Sequence, residues 1–285
     1  MKTRFLSAVL VSFLALGIGR PVAAVNFNGA GDGVSWEDPN NWTDGMVPAN
    51  ENVFLDFGPP VFISSTVPNV NDAYVTNNFA QATPQELRVA NNGVLNIANG
   101  QMKLAAFNNG GVGAPAVLRL EGNAQVTSKF GLEINPNGGT LLSELYQSGT
   151  STFDVGTRIN FSGGSSNTAH LFLSDSAQLI ARDGLWDNGN FGGPFTDGKA
   201  VITLSGGATL RVGGSAAATA FPTDAATADV WIAHGLITAA GGVTHQLVGD
   251  YRVFSAVPEP GTALLVSIGI AALCPGWCGR SRRGG

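Results

Sequence analysis

Carboxylates and aromatic side chains are concentrated in one turn-rich segment, residues 181–198 (ARDGLWDNGNFGGPFTDG). Its members that could act on a ligand are Asp183, Asp187, Asp197, Trp186, Phe191 and Phe195. Aromatic faces beside carboxylates can form a sugar-binding site, and two carboxylates can hydrolyse a glycosidic bond. This segment is therefore the first candidate for a glycan site, and Trp36 is a second aromatic candidate.

Three interpretations of this segment stay open: an enzyme site, a passive glycan contact and a set of structural turns. Polysaccharide-cleaving enzymes generally need a basic residue to manage charge at the reacting carbon, and only Arg182 and Lys199 lie nearby. Asp-Gly and Asn-Gly pairs are also ordinary turn formers. We predict no catalytic residue here and retain Asp183, Trp186 and Asp187 as candidate glycan contacts.

The rest of the chain offers no other recognisable reaction chemistry. His170, His234 and His245 are scattered and lack metal-ligand spacing. Residues 25–257 contain no nucleophile elbow, no phosphate-binding loop and no cysteine. The turn NGAGDG at 28–33 does not match a calcium-binding loop. The sequence therefore predicts neither a metal site nor a cofactor.

Charge narrows the range of partners. Residues 25–257 carry nine Lys/Arg against nineteen Asp/Glu, a formal charge of −10 compared with −5 for the whole chain. An acidic surface repels phosphates, which argues against a nucleic-acid partner. Both cysteines, Cys274 and Cys278, follow this region, so its stability must come from backbone ladders and packed apolar side chains.

A two-strand pattern recurs along the middle of the chain. Each copy has two inward-facing positions two apart, a polar turn, and two more such positions, with six residues from the second inner position to the third. The copies begin at positions 87, 118, 145, 171 and 202, so they are 31, 27, 26 and 31 residues apart. They read LRVANNGVLNI, LRLEGNAQVTS, LYQSGTSTFDV, LFLSDSAQLIA and ITLSGGATLRV.

This regular spacing predicts an all-β fold, a right-handed parallel β-helix in which each repeat covers the one before. Short strands at MKLAAF, GLEINP and RINFSG would supply a third side of each coil. A β-sandwich is the alternative, because short strands separated by turns give a similar pattern. The repeat domain is predicted over residues 81–255.

The segments on either side of the repeats are predicted to close the β-helix. Residues 25–80 form the expected N-terminal cap, with Trp36 and Trp42 on either side of a turn. At the other end, DVWIAHGLIT and HQLVGDYRVFS are predicted as closing strands. The small-residue stretch 216–228 is predicted to be a loop.

The N-terminus has the three-part pattern of a secretory signal peptide. Lys2 and Arg4 precede an apolar run from residue 5 to 18, and Val22 and Ala24 supply the small residues of a cleavage site. We expect residues 1–24 to form a signal helix and signal peptidase to cleave after Ala24.

The C-terminal segment, 256–285, carries a second apolar run. Nineteen uncharged residues, 261–279, would span about 28 Å as a helix, close to the hydrocarbon thickness of a bilayer. Pro275 interrupts this run, so a permanent membrane anchor, the alternative, would be marginal. The residues that flank the run are Pro258, Glu259 and Pro260 before it and Arg280, Arg282 and Arg283 after it.

This arrangement resembles the PEP-CTERM sorting signal of Gram-negative bacteria. The resemblance implies recognition by an exosortase, transient anchoring in the inner membrane by a transmembrane sorting helix, and release to the cell surface or the extracellular matrix. The body is loosely similar to autotransporter-associated β-strand-repeat proteins in ITLSGGATLRVGG, and to the opening of secreted bacterial repeat proteins in VSWEDPNNWTDGMVP.

Together these features predict an exported, non-enzymatic structural or adhesive protein of the cell surface or extracellular matrix, associated with exopolysaccharide. Two alternatives stay open: a polysaccharide lyase or hydrolase on a β-helix scaffold, and a lectin-like glycan-binding protein.

Overall fold

The computed structural model describes residues 24–56, 58–77, 83–106, 114–134, 142–161, 168–187, 200–214 and 225–258. These residues form short strands, one α-helix (α1, Ala225–Ala233) and a 3-10 helix at Pro39–Asn41. The strands are β1 Ala24–Asn26, β2 Asn52–Leu55, β3 Val61–Ile63, β4 Ala73–Asn77, β5 Gln85–Val89, β6 Val94–Ile97, β7 Met102–Ala106, β8 Ala116–Leu120, β9 Gln125–Ser128, β10 Leu132–Ile134, β11 Leu142–Gln147, β12 Thr152–Val155, β13 Arg158–Phe161, β14 Thr168–Leu173, β15 Gln178–Ala181, β16 Gly184–Asp187, β17 Ala200–Leu204, β18 Thr209–Gly213, β19 Ile237–Thr238, β20 Val243–Val248 and β21 Tyr251–Ala256.

The strands wind into a β-solenoid of about five turns. Each coil contributes one strand to each of three sheets. In the order of their hydrogen-bonded neighbours, sheet 1 is β1-β2-β4-β7-β10-β13-β16, sheet 2 is β3-β5-β8-β11-β14-β17-β19, and sheet 3 is β6-β9-β12-β15-β18-β21-β20. All strand pairs between successive coils up to β18 are parallel. Parallel ladders exclude the β-sandwich alternative, which requires antiparallel sheets.

The inner positions predicted from the repeated pattern are buried in every copy. They also stack in register, so that Leu87, Leu118, Leu145, Leu171 and Ile202 form one continuous row. Because side chains alternate across a strand, this register places a full apolar row inside every sheet. The predicted third strands are confirmed as β7, β10 and β13.

Two of these inner positions are polar and are hydrogen-bonded to the backbone. The Ser128 hydroxyl donates to the Gly131 carbonyl at 3.0 Å, and the Gln147 amide donates to the Gln178 carbonyl at 3.2 Å. Such bonds lower the cost of burying a polar group inside the solenoid.

The turn between sheet 2 and sheet 3 places one left-handed residue at the same position in each coil. The residues at this position, all with positive φ, are Asn91, Gly122, Gly149, Asp175 and Gly206. The carbonyls of the first four accept a hydrogen bond from the next coil; for example, the Thr150 N–H donates to the Gly122 carbonyl at 2.7 Å. Glycine, asparagine and aspartate are the residues that adopt this conformation most readily.

The N-terminal segment folds around two buried tryptophans. The Trp36 and Trp42 rings pack edge to face, 4.7 Å apart, and the Trp42 indole N–H donates to the Trp36 carbonyl at 2.8 Å. Phe27 packs on the other side of Trp42, 5.2 Å from it. Glu37 joins this segment to the first coil, because its carboxylate accepts the backbone N–H groups of Ser64 and Ser65.

The C-terminal segment corrects two predictions. Residues 225–228, predicted as loop, and residues 229–233, predicted as strand, form helix α1. The alanines of this stretch favour a helix, and Ala228 and Trp231, three residues apart, are its buried positions. Strands β19, β20 and β21 follow; β21 is antiparallel to β18 and to β20.

No helix within the described ranges is both long and apolar enough to cross a membrane. The segments that would form the signal helix and the sorting helix, residues 1–23 and 259–285, lie outside those ranges.

We expect Gly149→Ala to destabilise the protein by about 2–4 kcal/mol. Placing an alanine at positive φ costs about 1–2 kcal/mol. Overpacking adds a further cost, because a Cβ at residue 149 would lie 2.5 Å from the Gly122 carbonyl oxygen. Gly249→Ala is the matched control, since its φ is +59° and nothing lies within 4 Å of its Cβ. Urea unfolding followed by circular dichroism measures both; equal losses would contradict a close approach between coils.

Acid should weaken the attachment of the N-terminal segment through Glu37. Burial acts to raise the pKa of Glu37, but hydrogen bonds from Ser64, Ser65 and Ser35 outweigh it and hold the pKa below the ordinary 4.5. Ionised Glu37 therefore stabilises the fold above pH 4.5, and this contribution is lost as the pH falls through the lowered pKa.

We expect Glu37→Gln to cost about 1 kcal/mol at pH 7, with the difference from wild type disappearing in acid. Thermal unfolding from pH 7 to pH 3 tests this. Glu51→Gln is the control, because the Glu51 side chain makes no hydrogen bond within the described residues. A difference between wild type and Glu37→Gln that did not change with pH would contradict the role of its charge.

Candidate functional site

An open groove with a volume of ≈ 380 Å³ runs along the outer side of sheet 1 and its corner with sheet 3. Four successive coils contribute to it, those that contain β7, β10, β13 and β16. With neighbouring coils about 4.8 Å apart, the groove extends about 14 Å parallel to the solenoid axis. Its lining forms three rows of stacked positions: Phe130, Thr157 and Asp183; Gln101, Gly131 and Arg158; Glu133, Asn160 and Trp186.

The coil-to-coil register brings these residues together. Glu133, Asn160 and Trp186 are directly paired in the ladder β10-β13-β16, and their side chains point outward. At the corner, the Thr157 N–H donates to the Phe130 carbonyl and the Asp183 N–H to the Thr157 carbonyl, both at 2.6 Å. Residues far apart in sequence therefore lie one strand spacing apart.

The backbone of the next coil approaches Gly131 closely. Gly131 is buried between Gln101 and Arg158, and an added Cβ would be 3.1 Å from the Arg158 carbonyl oxygen and 3.8 Å from the Gln101 side-chain amide. A side chain at residue 131 would therefore crowd the backbone below the groove.

Two aromatic rings lie on the walls of the groove. The Arg158 guanidinium lies over the Trp186 ring, 3.8 Å from its centroid, which is a close cation–π contact. Phe130 is 47% exposed, an unusual value for a phenylalanine, and its only cationic neighbour is Lys129 at 5.5 Å within the described residues. An exposed ring and a ring stacked on a guanidinium both present flat surfaces to a ligand.

The polar side chains at the two ends of the groove differ in whether they have hydrogen-bond partners. Near β7, the Gln101 amide, in the orientation that satisfies both its ends, bridges Lys103 at 3.1 Å and Glu133 at 3.2 Å. Near β16, the buried Asn160 Oδ1 has no partner among the described residues, and Arg158 makes no ion pair with them. By contrast, Arg88, Arg119 and Arg182 all pair with carboxylates.

The structure brings together two of the four predicted glycan contacts. Asp183 and Trp186 line the same groove. Asp187 is the last residue of β16, paired with Phe161 in the ladder, and its side chain lies outside the described part. Asp197 also lies outside the described residues.

The prediction for Trp36 is wrong. Its side chain is fully buried against Trp42, with an exposure of 0%, because the turn that follows it folds both indoles into the core of the N-terminal segment. A ring in that position has no surface to offer a glycan.

Phe130, Gly131, Arg158 and Asn160 were not identified from the sequence. They belong to two earlier coils, and nothing in their own segments indicates a binding site. The only sequence signal for Phe130 is its position directly before a third strand, at a corner where most coils have a polar or small residue.

The residues predicted to direct sorting are mostly beyond the described part of the chain. Ala24 is exposed and begins β1, and Pro258 is exposed two residues after β21 ends. Glu259, Pro260, Arg280, Arg282 and Arg283 lie outside the described residues. Within the described ranges, no group of three or more His, Cys, Asp or Glu side chains is arranged to hold a metal ion.

Comparison of the chain with protein-family models, with curated proteins and with solved structures gives no match.

Proposed function

We propose that this chain is an exported, non-enzymatic structural or adhesive protein that binds extracellular polysaccharide along the groove on sheet 1. The observation that carries the proposal is the combination, in one groove, of two accessible rings with hydrogen-bonding groups that have no partner among the described residues. Sugars present both apolar faces, which pack on rings, and hydroxyl groups, which donate and accept hydrogen bonds.

The groove matches these two properties of a sugar. Asn160 Oδ1 and the Asp183 carboxylate accept hydrogen bonds from hydroxyl groups, and the Arg158 guanidinium donates to hydroxyl or ring oxygens. Phe130 and Trp186 pack against the apolar faces of the rings. Because the groove follows the solenoid axis for about 14 Å, it suits a linear segment of several sugar units rather than a single one.

The proposed route to the polysaccharide begins with export. Signal peptidase cleaves after Ala24, and an exosortase acts on the segment that contains Pro258, Glu259 and Pro260 after transient insertion into the inner membrane. The exposure of Pro258 supports this, since a processing enzyme needs an accessible chain at the end of the last strand. The protein then reaches the cell surface or the extracellular matrix.

The finer architecture belongs to the same proposal. We infer right-handed winding, because connections between parallel strands of one sheet are right-handed in about 98% of proteins. A signal helix within residues 1–24, a cap over 25–80 and a transmembrane sorting helix within 256–285 complete it.

Cleavage of polysaccharide is a second candidate, favoured by one observation. Two carboxylates, Glu133 and Asp183, line the groove on different coils, and glycoside hydrolysis uses such a pair. Glu133 is engaged with Lys103 at 4.0 Å and with Gln101, which favours a structural role for it.

We expect Phe130→Ala and Trp186→Ala each to weaken polysaccharide binding about 5- to 30-fold, the effect of losing about 1–2 kcal/mol of ring contact. Tyr146→Ala is the control, because Tyr146 is an outward-facing aromatic residue on sheet 2. Binding is measured by affinity electrophoresis against a panel of neutral and uronate-containing polysaccharides. Equal effects of all three variants, or binding by none of the proteins, would contradict the proposal.

Incubation of the protein with the same panel should release no new reducing or unsaturated ends. If such ends appear and Asp183→Asn abolishes them while preserving binding, the chain is an enzyme and the non-enzymatic proposal is wrong.

A further inference from the structure

The two ends of each sheet differ in how they are protected. In general, an exposed strand edge offers unpaired backbone groups to other chains, and proteins protect such edges with very short strands, charged residues or proline. The two end strands of sheet 1, β1 and β16, are three and four residues long. Those of sheet 2, β3 and β19, are three and two residues long. On the N-terminal side of sheet 3, β6 has bridges to Thr66 and Val70.

Strand β20, the other end of sheet 3, departs from this pattern. It is six residues long, VTHQLV, with no charged residue, proline or glycine. All six residues pair with β21, and the opposite edge of β20 has no strand partner in the described part of the chain. It is therefore the longest end strand of the three sheets and the least protected.

Two exposed apolar side chains also lie at one end of β20. Leu247 is 57% exposed and Val248 45%, next to the turn that leads into β21. Val257, 39% exposed, lies at the other end of the hairpin, where its N–H donates to the Gly242 carbonyl at 2.9 Å. Exposed apolar residues on a strand with an unpaired edge favour association with another chain.

We propose that β20 pairs with β20 of a second copy of this chain, in an antiparallel arrangement about a two-fold axis. The row of N–H and C=O groups on this edge has no strand partner among the described residues and suits another extended strand, and pairing a strand with its own copy closes the assembly at a dimer. Residues 25–257 carry a formal charge of −10, so two copies of this region repel each other electrostatically. The uncharged β20 lets them meet without placing like charges directly opposite each other.

This dimer forms independently of glycan binding, because β20 lies in sheet 3 and the groove lies along sheet 1. Pairing would join sheet 3 of one solenoid to sheet 3 of the other in one continuous sheet. Each dimer would then present two grooves, and simultaneous contact with one polysaccharide would strengthen attachment without any new contact type.

The test is sedimentation velocity of the purified protein from 1 to about 100 μM, a range that covers the affinities of weak to moderate dimers. The variant Thr244→Lys/Gln246→Lys adds two charges to the exposed side of β20. We expect wild type to dimerise and this variant to dimerise at least tenfold more weakly. Gln125→Lys/Gln178→Lys is the matched control, because it adds the same charge at exposed positions on interior strands of sheet 3 and should dimerise like wild type.

Circular dichroism checks that each variant is folded. Hydrogen exchange of the wild-type protein tests the same edge without any substitution. We expect the β20 amides that point away from β21 to become protected only at concentrations where the dimer forms. A monomer at all concentrations, equal dimerisation of all three proteins, or protection independent of concentration would overturn the proposal. The last result would show that a segment of the same chain covers the edge.

Discussion

The fold depends on the exact register between one coil and the next. Backbone carbonyl and N–H groups of each coil form hydrogen bonds with the next coil. The left-handed turn residues from Asn91 to Gly206 keep the chain at one corner aligned from coil to coil. A slip of one residue in any strand would turn its apolar row outward. The six-residue interval around each turn is therefore as important to the structure as the apolar residues themselves.

The same register that builds the core also builds the surface. On sheet 1 it aligns Glu133, Asn160 and Trp186 in one of the rows that line the groove. On sheet 2 it places Arg119 over the Tyr146 ring at 4.3 Å and stacks Tyr146 on Phe172 at 4.9 Å. Outward side chains of successive coils lie about one strand spacing apart, which suits a ligand that is itself a repeating chain. The glycan proposal follows from this match.

The two ends of the solenoid differ in the contacts that the flanking segments make with the outermost coils. In the N-terminal segment, Trp36 packs on Trp42, and the Glu37 carboxylate accepts hydrogen bonds from backbone N–H groups of the first coil. At the C-terminal end, Trp231 of α1 packs 6.1 Å from Phe254 of β21 and covers the last apolar layer. The hairpin of β20 and β21 then switches sheet 3 from parallel to antiparallel pairing, and β20 is the last strand of this sheet among the described residues.

The sequence by itself determined the all-β class, the repeated two-strand pattern and its buried positions, because alternation along a strand is a local property. It also indicated Asp183 and Trp186, which are close together in the chain. It did not reveal Arg158, Asn160, Gly131 or Phe130 as their neighbours, the burial of Trp36, or helix α1. Those features depend on which residues of different coils face each other and on how the ends are covered. Only the tertiary structure decides them, because contacts between coils join residues about 30 positions apart through turns whose length varies.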